Sequence, residues 1–145
     1  MDKQFKVIHY QGTDGLKKML WNELKGKEIL VFGYENTNKF VGKEFADKFR
    51  TKIVRRKISF YEIGNSPEYK QKDQSFYNSA IGWEKVYQYK QISESILKIR
   101  HQFVVYNDTF ATFNWKGAKI GMEVINKPLA NMQRKNFWHY WQLAK

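Results

Sequence analysis

The chain has no cysteine, which excludes disulfides, thiolate metal sites and a cysteine nucleophile together. It has no apolar run approaching the roughly twenty residues that a membrane span requires, and its start, MDKQFKV, has none of the features of a signal peptide. A soluble, cytoplasmic protein with no membrane contact is therefore expected. No glycine-rich phosphate loop is present: Gly12-x-x-Gly15 is not followed by the Lys-Ser/Thr pair of a P-loop, and Gly33 stands alone. No paired-carboxylate signature occurs, and neither His9 nor His139 has a local partner at metal-ligand spacing. Neither a metal nor a cofactor is expected. Acidic residues are also few, 14 against 26 Lys and Arg, for a formal charge of +12.

Aromatic residues, in contrast, are abundant: eleven Phe, nine Tyr and five Trp make up 17% of the 145 residues. That load argues against disorder, and the length suits a single domain, residues 1–145, able to bury its own core. The positive charge suits a polyanionic partner or plain solubility. It concentrates in KFRTKIVRRK, from Lys48 to Lys57, where six of ten residues are basic and none acidic.

Hydrophobic periodicity organises the chain around Ile99–Trp115, IRHQFVVYNDTFATFNW. Two aromatic-rich runs flank Asn107-Asp108, a pair that tolerates left-handed backbone, so this stretch predicts a β-hairpin at the centre of a sheet. Upstream, FKVIHY (5–10) predicts a strand. A helix capped at Thr13 follows, with Leu16, Met19, Leu20 and Leu24 as its buried stripe, and Gly26 ends it. The unbroken run EILVFGY (28–34) reads as a strand covered on both faces. This strand–helix–strand opening implies a parallel pair. The loop 34–42 then lies beyond the strand's C-terminal end, where ligands commonly sit in open α/β sheets.

A second helix is expected over 43–56, with Phe45, Phe49 and Ile53 inward, and a strand over 58–63. The 66–80 stretch reads as an exposed excursion with a helical turn or two, and 84–92 as an edge strand or an extended loop. A third antiparallel strand falls within 118–126. Asn126 and Pro128 then start a final helix carrying Phe137, Trp138 and Trp141. The fold class is thus α/β (α+β): a mixed sheet with an N-terminal βαβ unit, a central antiparallel hairpin and a C-terminal helix.

The hairpin invites comparison with phospholipase D catalysis, which uses His-x-Lys-x4-Asp. His101 and Asp108 keep the spacing, but Phe103 stands at the lysine position and the following Gly-Ser is missing, with Phe113-Asn114-Trp115 there instead. Without that cation the transferred phosphoryl group loses its main stabiliser. A phosphodiesterase is accordingly the weaker reading, and no catalytic residue is assigned.

The chain also resembles the effector domain of TrmB-type transcription regulators. The opening VIHYQGTDGLKKML…KGKEILVFG is similar to that domain's start. The hairpin pattern Tyr106-x-Asp108-x-x-Ala111-x-x-x-Trp115 is similar to its close, followed by Ile120, Gly121, Val124, Asn126, Lys127, Ala130, Arg134, Phe137 and Trp141. The likeness spans nearly the whole chain apart from 66–95. It implies a phospholipase D-like fold serving as a non-enzymatic, ligand-sensing or dimerisation domain of a regulator. Family members place a helix-turn-helix and a coiled-coil helix before this domain. None is expected in this chain, so DNA contact would come through a separate domain.

These readings give three sets of candidate residues. The ligand site is expected at Gly33, Tyr34, Glu35 and Asn36, with His101 and Tyr106 nearby and the effector unnamed. The alternative, direct nucleic-acid binding, would use Lys48, Arg50, Lys52, Arg55, Arg56 and Lys57. Self-association as a dimer would use Phe137, Trp138 and Trp141, because aromatics concentrate in interface cores.

Overall fold

The computed structural model describes residues 5–67 and 80–145. Most of the expected 66–80 excursion therefore lies outside the described residues. The elements in chain order are β1 (Lys6–Gln11), α1 (Gly12–Glu23), β2 (Glu28–Gly33), α2 (Thr37–Val41), α3 (Lys43–Arg55) and β3 (Ser59–Gly64). From residue 80 onward come α4 (Trp83–Val86), β4 (Tyr87–Gln91), β5 (Gln102–Tyr106), β6 (Thr109–Asn114), β7 (Ile120–Ile125) and α5 (Lys127–Leu143).

Among the described residues, all seven strands join one mixed sheet in the order β1-β7-β6-β5-β2-β3-β4. The β5–β6 hairpin pairs Tyr106 with Thr109 across the Asn107-Asp108 turn, and β5 occupies the middle of the sheet as expected. Asn107 takes the left-handed conformation that this tight turn requires, with φ at 48°. β2 pairs in parallel with β3 and antiparallel with β5. Buried from Ile29 to Gly33, it is covered on both faces, which explains its lack of polar alternation.

The expected β1–β2 parallel pair is corrected. β1 instead pairs with β7 in an antiparallel ladder running from Lys6↔Ile125 to Gln11↔Ile120. β1 and β2 do run in the same direction, but β7, β6 and β5 lie between them. Hydrophobic patterning specifies that a strand exists, whereas its neighbour is chosen by long-range pairing that local sequence does not encode. The first helix starts at Gly12, one residue before Thr13, and its N-cap Gln11 makes no side-chain bond. The final helix does begin as expected, with Asn126 Oδ1 accepting from Leu129 N at 3.0 Å.

Helices cover both faces. On one, α1, α2, α3 and α4 bury Leu16, Met19, Phe40, Phe49, Ile53 and Trp83 against Val31, Val104 and Phe113. On the other, α5 lays Phe137 over Leu30, Phe32, Ile63 and Val105. Phe137 is fully buried, and Trp138 and Trp141 meet Tyr61 edge-on with ring centroids at 5.0 and 5.5 Å. The aromatic face expected to meet another copy is therefore taken up largely by the domain's own sheet. No helix among the described residues is long and apolar enough to cross a membrane.

Candidate functional site at the strand ends

Antiparallel pairing of β5 with β2 brings the start of β5 beside the C-terminal end of β2, with Phe103 opposite Phe32. Four of the expected ligand residues, Gly33, Tyr34, Glu35 and Asn36, therefore share one end of the sheet with His101. The junction is tied by Gln102, only 4% exposed, whose Oε1 accepts from Tyr34 N at 2.8 Å.

Tyr106 is the exception, and its expected place at the mouth is corrected. It ends β5, so the length of that strand separates it from His101. Its hydroxyl donates to Glu123 Oε2 at 2.5 Å, inside the opposite end of the domain. Tyr10 also donates to Glu123, as does the Asn22 amide at 3.1 Å. Burial and the bond to Glu123 push the Tyr10 hydroxyl up to about 12, and the same causes push Tyr106 up further. Asp108 lies beyond β5 as well, exposed in the turn. The seven-residue spacing from His101 thus spans a strand instead of closing a site.

His101 is exposed, and its Nδ1 lies 3.2 Å from Asn114 Nδ2. The Asn114 amide is oriented by its other end, where Oδ1 accepts from Lys116 N at 2.8 Å. Its NH2 group therefore points at His101 and donates to Nδ1. The neutral imidazole then carries its proton on Nε2 and offers a donor there.

On the α5 face the mouth opens into a groove of about 250 Å³. Phe32, Phe103 and Tyr140 supply an aromatic floor, and Lys98, Arg100 and His101 line one rim. Gln133 and Asn136 contribute amides from α5. Aromatic walls with a few convergent polar groups are the usual make-up of a small-molecule site. Sequence reasoning found His101 but missed the other rim and floor residues. Lys98 and Arg100 lie on an irregular segment, and Gln133, Asn136 and Tyr140 follow one another along the helix at i, i+3 and i+7.

On the opposite face the segment after β2 is pinned by charge. Glu35 pairs with Lys39 at 3.0 Å and Lys116 at 3.2 Å. Partial burial works against its charge, yet hydrogen bonds from the two lysines prevail and hold the carboxyl below its usual range. Lys116 also stands over the rings of Tyr34 and Trp115, 5.0 and 5.7 Å from their centroids.

Beneath this segment lies a small cavity of about 20 Å³ whose walls include Glu35, Asn36, Arg50, Glu62, Trp83 and Gln102. Arg50 is 3% exposed. It donates to Asp47 Oδ1 at 3.0 Å and to Asn38 Oδ1 at 2.6 Å. Its expected role in nucleic-acid contact is thereby corrected, because the guanidinium points into the protein. Lys48, Arg55, Arg56 and Lys57 remain exposed on or just beyond α3, with Lys52 half-buried. Glu62 accepts from the Tyr87 hydroxyl at 2.6 Å. Burial raises its carboxyl to about 7 although Tyr87 and Arg50 both favour the charged form. Among the described residues, no group of three or more His, Cys, Asp or Glu is placed to hold a metal ion.

No described protein family matches the chain, and no curated protein does. Several solved structures are similar, among them the following three. TrmBL2, an archaeal chromatin protein whose structure shows a novel mode of DNA binding, superposes with a TM-score of 0.65 at 11% identity over 97% of this chain. This chain spans only about half, 54%, of TrmBL2. Nuc from Salmonella typhimurium, a phospholipase D family member, gives 0.65 at 11% identity, covering 98% of this chain and 97% of Nuc. NucT from Helicobacter pylori gives 0.67 at 9% identity, covering 97% and 98%.

At these identities the likeness shows the fold, which is phospholipase D-like. It also corrects one expectation. Nuc is a phospholipase D family member, and phospholipases are enzymes. The expected absence of enzymatic activity therefore does not stand.

Proposed function

We propose that this domain is a ligand-binding regulatory domain of phospholipase D-like fold, similar in kind to the TrmB-type effector domain. Its ligand is a small anionic molecule with an aromatic or apolar portion. The groove carries this reading. Lys98, Arg100 and the Nε2–H of His101 offer donors to an anion, Gln133 and Asn136 offer amides, and Phe32, Phe103 and Tyr140 offer apolar area. Thermal shift against sugars, nucleotides and inorganic phosphates tests it, followed by calorimetry on any hit. A nucleotide or sugar phosphate should raise the melting temperature. Silence across all three classes would overturn the reading. The same hits are to be assayed for phosphodiester cleavage: turnover lost in His101→Ala would make the groove a catalytic site.

A second reading is supported by the similarity to TrmBL2 and by the basic residues that stay on the surface of α3. In it, Lys48, Arg55 and Arg56 contact nucleic acid directly. Affinity would then fall steeply with salt, with a log–log slope set by the number of phosphates contacted. A flat salt dependence excludes it.

A further inference from the structure

We infer that Asn65 is a positioning residue for the groove, its carboxamide fixing the backbone around Lys98 and so holding that cation at the rim. As a statement about ligand binding, this rests on the reading of the groove as the site. Lys98, Arg100 and His101 lie on the irregular stretch between β4 and β5, where no strand ladder holds the chain among the described residues. Ordering such a stretch costs conformational entropy, so a rim that is ready for its ligand needs ties from elsewhere.

Asn65 follows β3 directly and is half-buried. Its Nδ2 donates to Leu97 O at 2.9 Å, and its Oδ1 accepts from Ile99 N at 2.9 Å. Those two groups belong to the peptide units immediately before and after Lys98. The carboxamide thus meets the backbone of Lys98 as the peptide of a neighbouring strand would, with one donor and one acceptor. With both flanking peptides held, the Lys98 backbone has little freedom left and its Cβ has one direction. Nδ2 also donates to Ile92 O at 3.0 Å, so a single side chain closes the stretch from Ile92 to Ile99 on itself. Asn65 is held in its turn, because Gln91 Nε2 donates to its backbone oxygen at 3.1 Å and Ile92 N donates to Gly64 O at 2.8 Å.

Arg100 and His101 are placed differently. They adjoin β5, whose pairing with β6 begins at Gln102↔Phe113, and the Gln102 side chain is tied to Tyr34 N. Loss of the Asn65 amide therefore frees Lys98 and leaves the other two rim donors where they are. Order imposed before binding lowers the entropic cost of binding, so Asn65 contributes to affinity through Lys98 without touching the ligand.

An NMR titration of the whole chain with inorganic phosphate tests this. Lys98→Ala should weaken affinity by about tenfold, and Asn65→Ala by roughly three- to tenfold. The double variant should bind no more weakly than Lys98→Ala alone, because the two residues act as one. Losses that multiply, as a general structural role for Asn65 would give, overturn the proposal. Amide relaxation without ligand supplies a second arm. Order parameters over 97–99 should fall from about 0.85 to below about 0.6 in Asn65→Ala, with β5 unchanged. Asn65→Asp keeps the acceptor for Ile99 N and loses the donors, so its fall should be larger at Leu97 than at Ile99. Unchanged order over 97–99, or an equal fall throughout β5, overturns the proposal too. If the wild type binds no phosphate, the reading of the groove falls, and the relaxation arm decides by itself whether Asn65 fixes Lys98.

Discussion

A β-carbon placed on Gly33 would lie 1.8 Å from Oε2 of Glu62 and 2.7 Å from its Cδ. The glycine at the end of β2 is thus required by a side chain on the neighbouring strand. Gly33→Ala must push the Glu62 carboxyl away from Tyr87 or displace the strand ends. A loss of roughly 1–3 kcal/mol in denaturant unfolding is expected. Adding Glu62→Ala to Gly33→Ala should recover part of it, because the clash then has no partner. Additive losses in the double mutant would show that Gly33 matters for another reason.

At the opposite end of the domain, Glu23 and Glu123 are 1% and 2% exposed. Glu123 accepts from Tyr10, Asn22 and Tyr106, while Oε2 of Glu23 has no partner among the described residues. Burial first, and the nearby Glu123 charge second, raise the Glu23 carboxyl well above its ordinary value. A raised carboxyl contributes stability in full below the unfolded value, near 4.5. That contribution is lost as pH rises toward the folded value. Glu23→Gln should therefore match wild type near pH 4 and exceed it at pH 8 in urea unfolding. A variant less stable than wild type at pH 8 would count against this assignment.

Much of the architecture is legible in the chain itself. EILVFGY reads as a strand buried on both faces because parallel strands under helices need no polar alternation. Asn107-Asp108 reads as a turn because asparagine tolerates positive φ. The ligand site is half legible: Gly33–Asn36 and His101 do converge, since a strand end and the start of its antiparallel neighbour must meet. Tyr106 falls at the other end of β5, which the sequence does not reveal, because an aromatic in a hairpin carries no mark of which end of the strand does chemistry. Glu62, Tyr87 and Arg50 were not visible as a group. They lie on three elements, and only pairing and packing bring them together.

Arg50 illustrates the same limit and yields a prediction. In the sequence it is one of six cations between Lys48 and Lys57, yet in the fold it is buried among Asp47, Asn38 and Asn36. Arg50→Ala takes a buried donor from half-buried Asp47, which keeps Lys43, and from two amides, at a cost of about 1–3 kcal/mol. Lys48→Ala and Arg56→Ala should stay within about 0.5 kcal/mol of wild type. If the domain binds DNA through α3, each of these two should reduce the salt slope by about one. Equal destabilisation by all three variants would refute the inside–outside division.

The last prediction concerns the groove and depends on which nitrogen of His101 carries the proton. With Asn114 donating to Nδ1, the imidazole offers Nε2–H to an anion beside Arg100. For a nucleotide or phosphate found in the screen, Arg100→Ala and His101→Ala should each weaken affinity by roughly tenfold, the loss of one charge-assisted hydrogen bond. Asn114→Asp should weaken it more than Asn114→Ala. The aspartate adds a negative charge at the rim and draws the imidazole proton to Nδ1, leaving Nε2 without its donor. Calorimetry at low salt separates the cases. An Asn114→Asp variant that binds the anion as tightly as wild type would mean that His101 does not hold the ligand through Nε2.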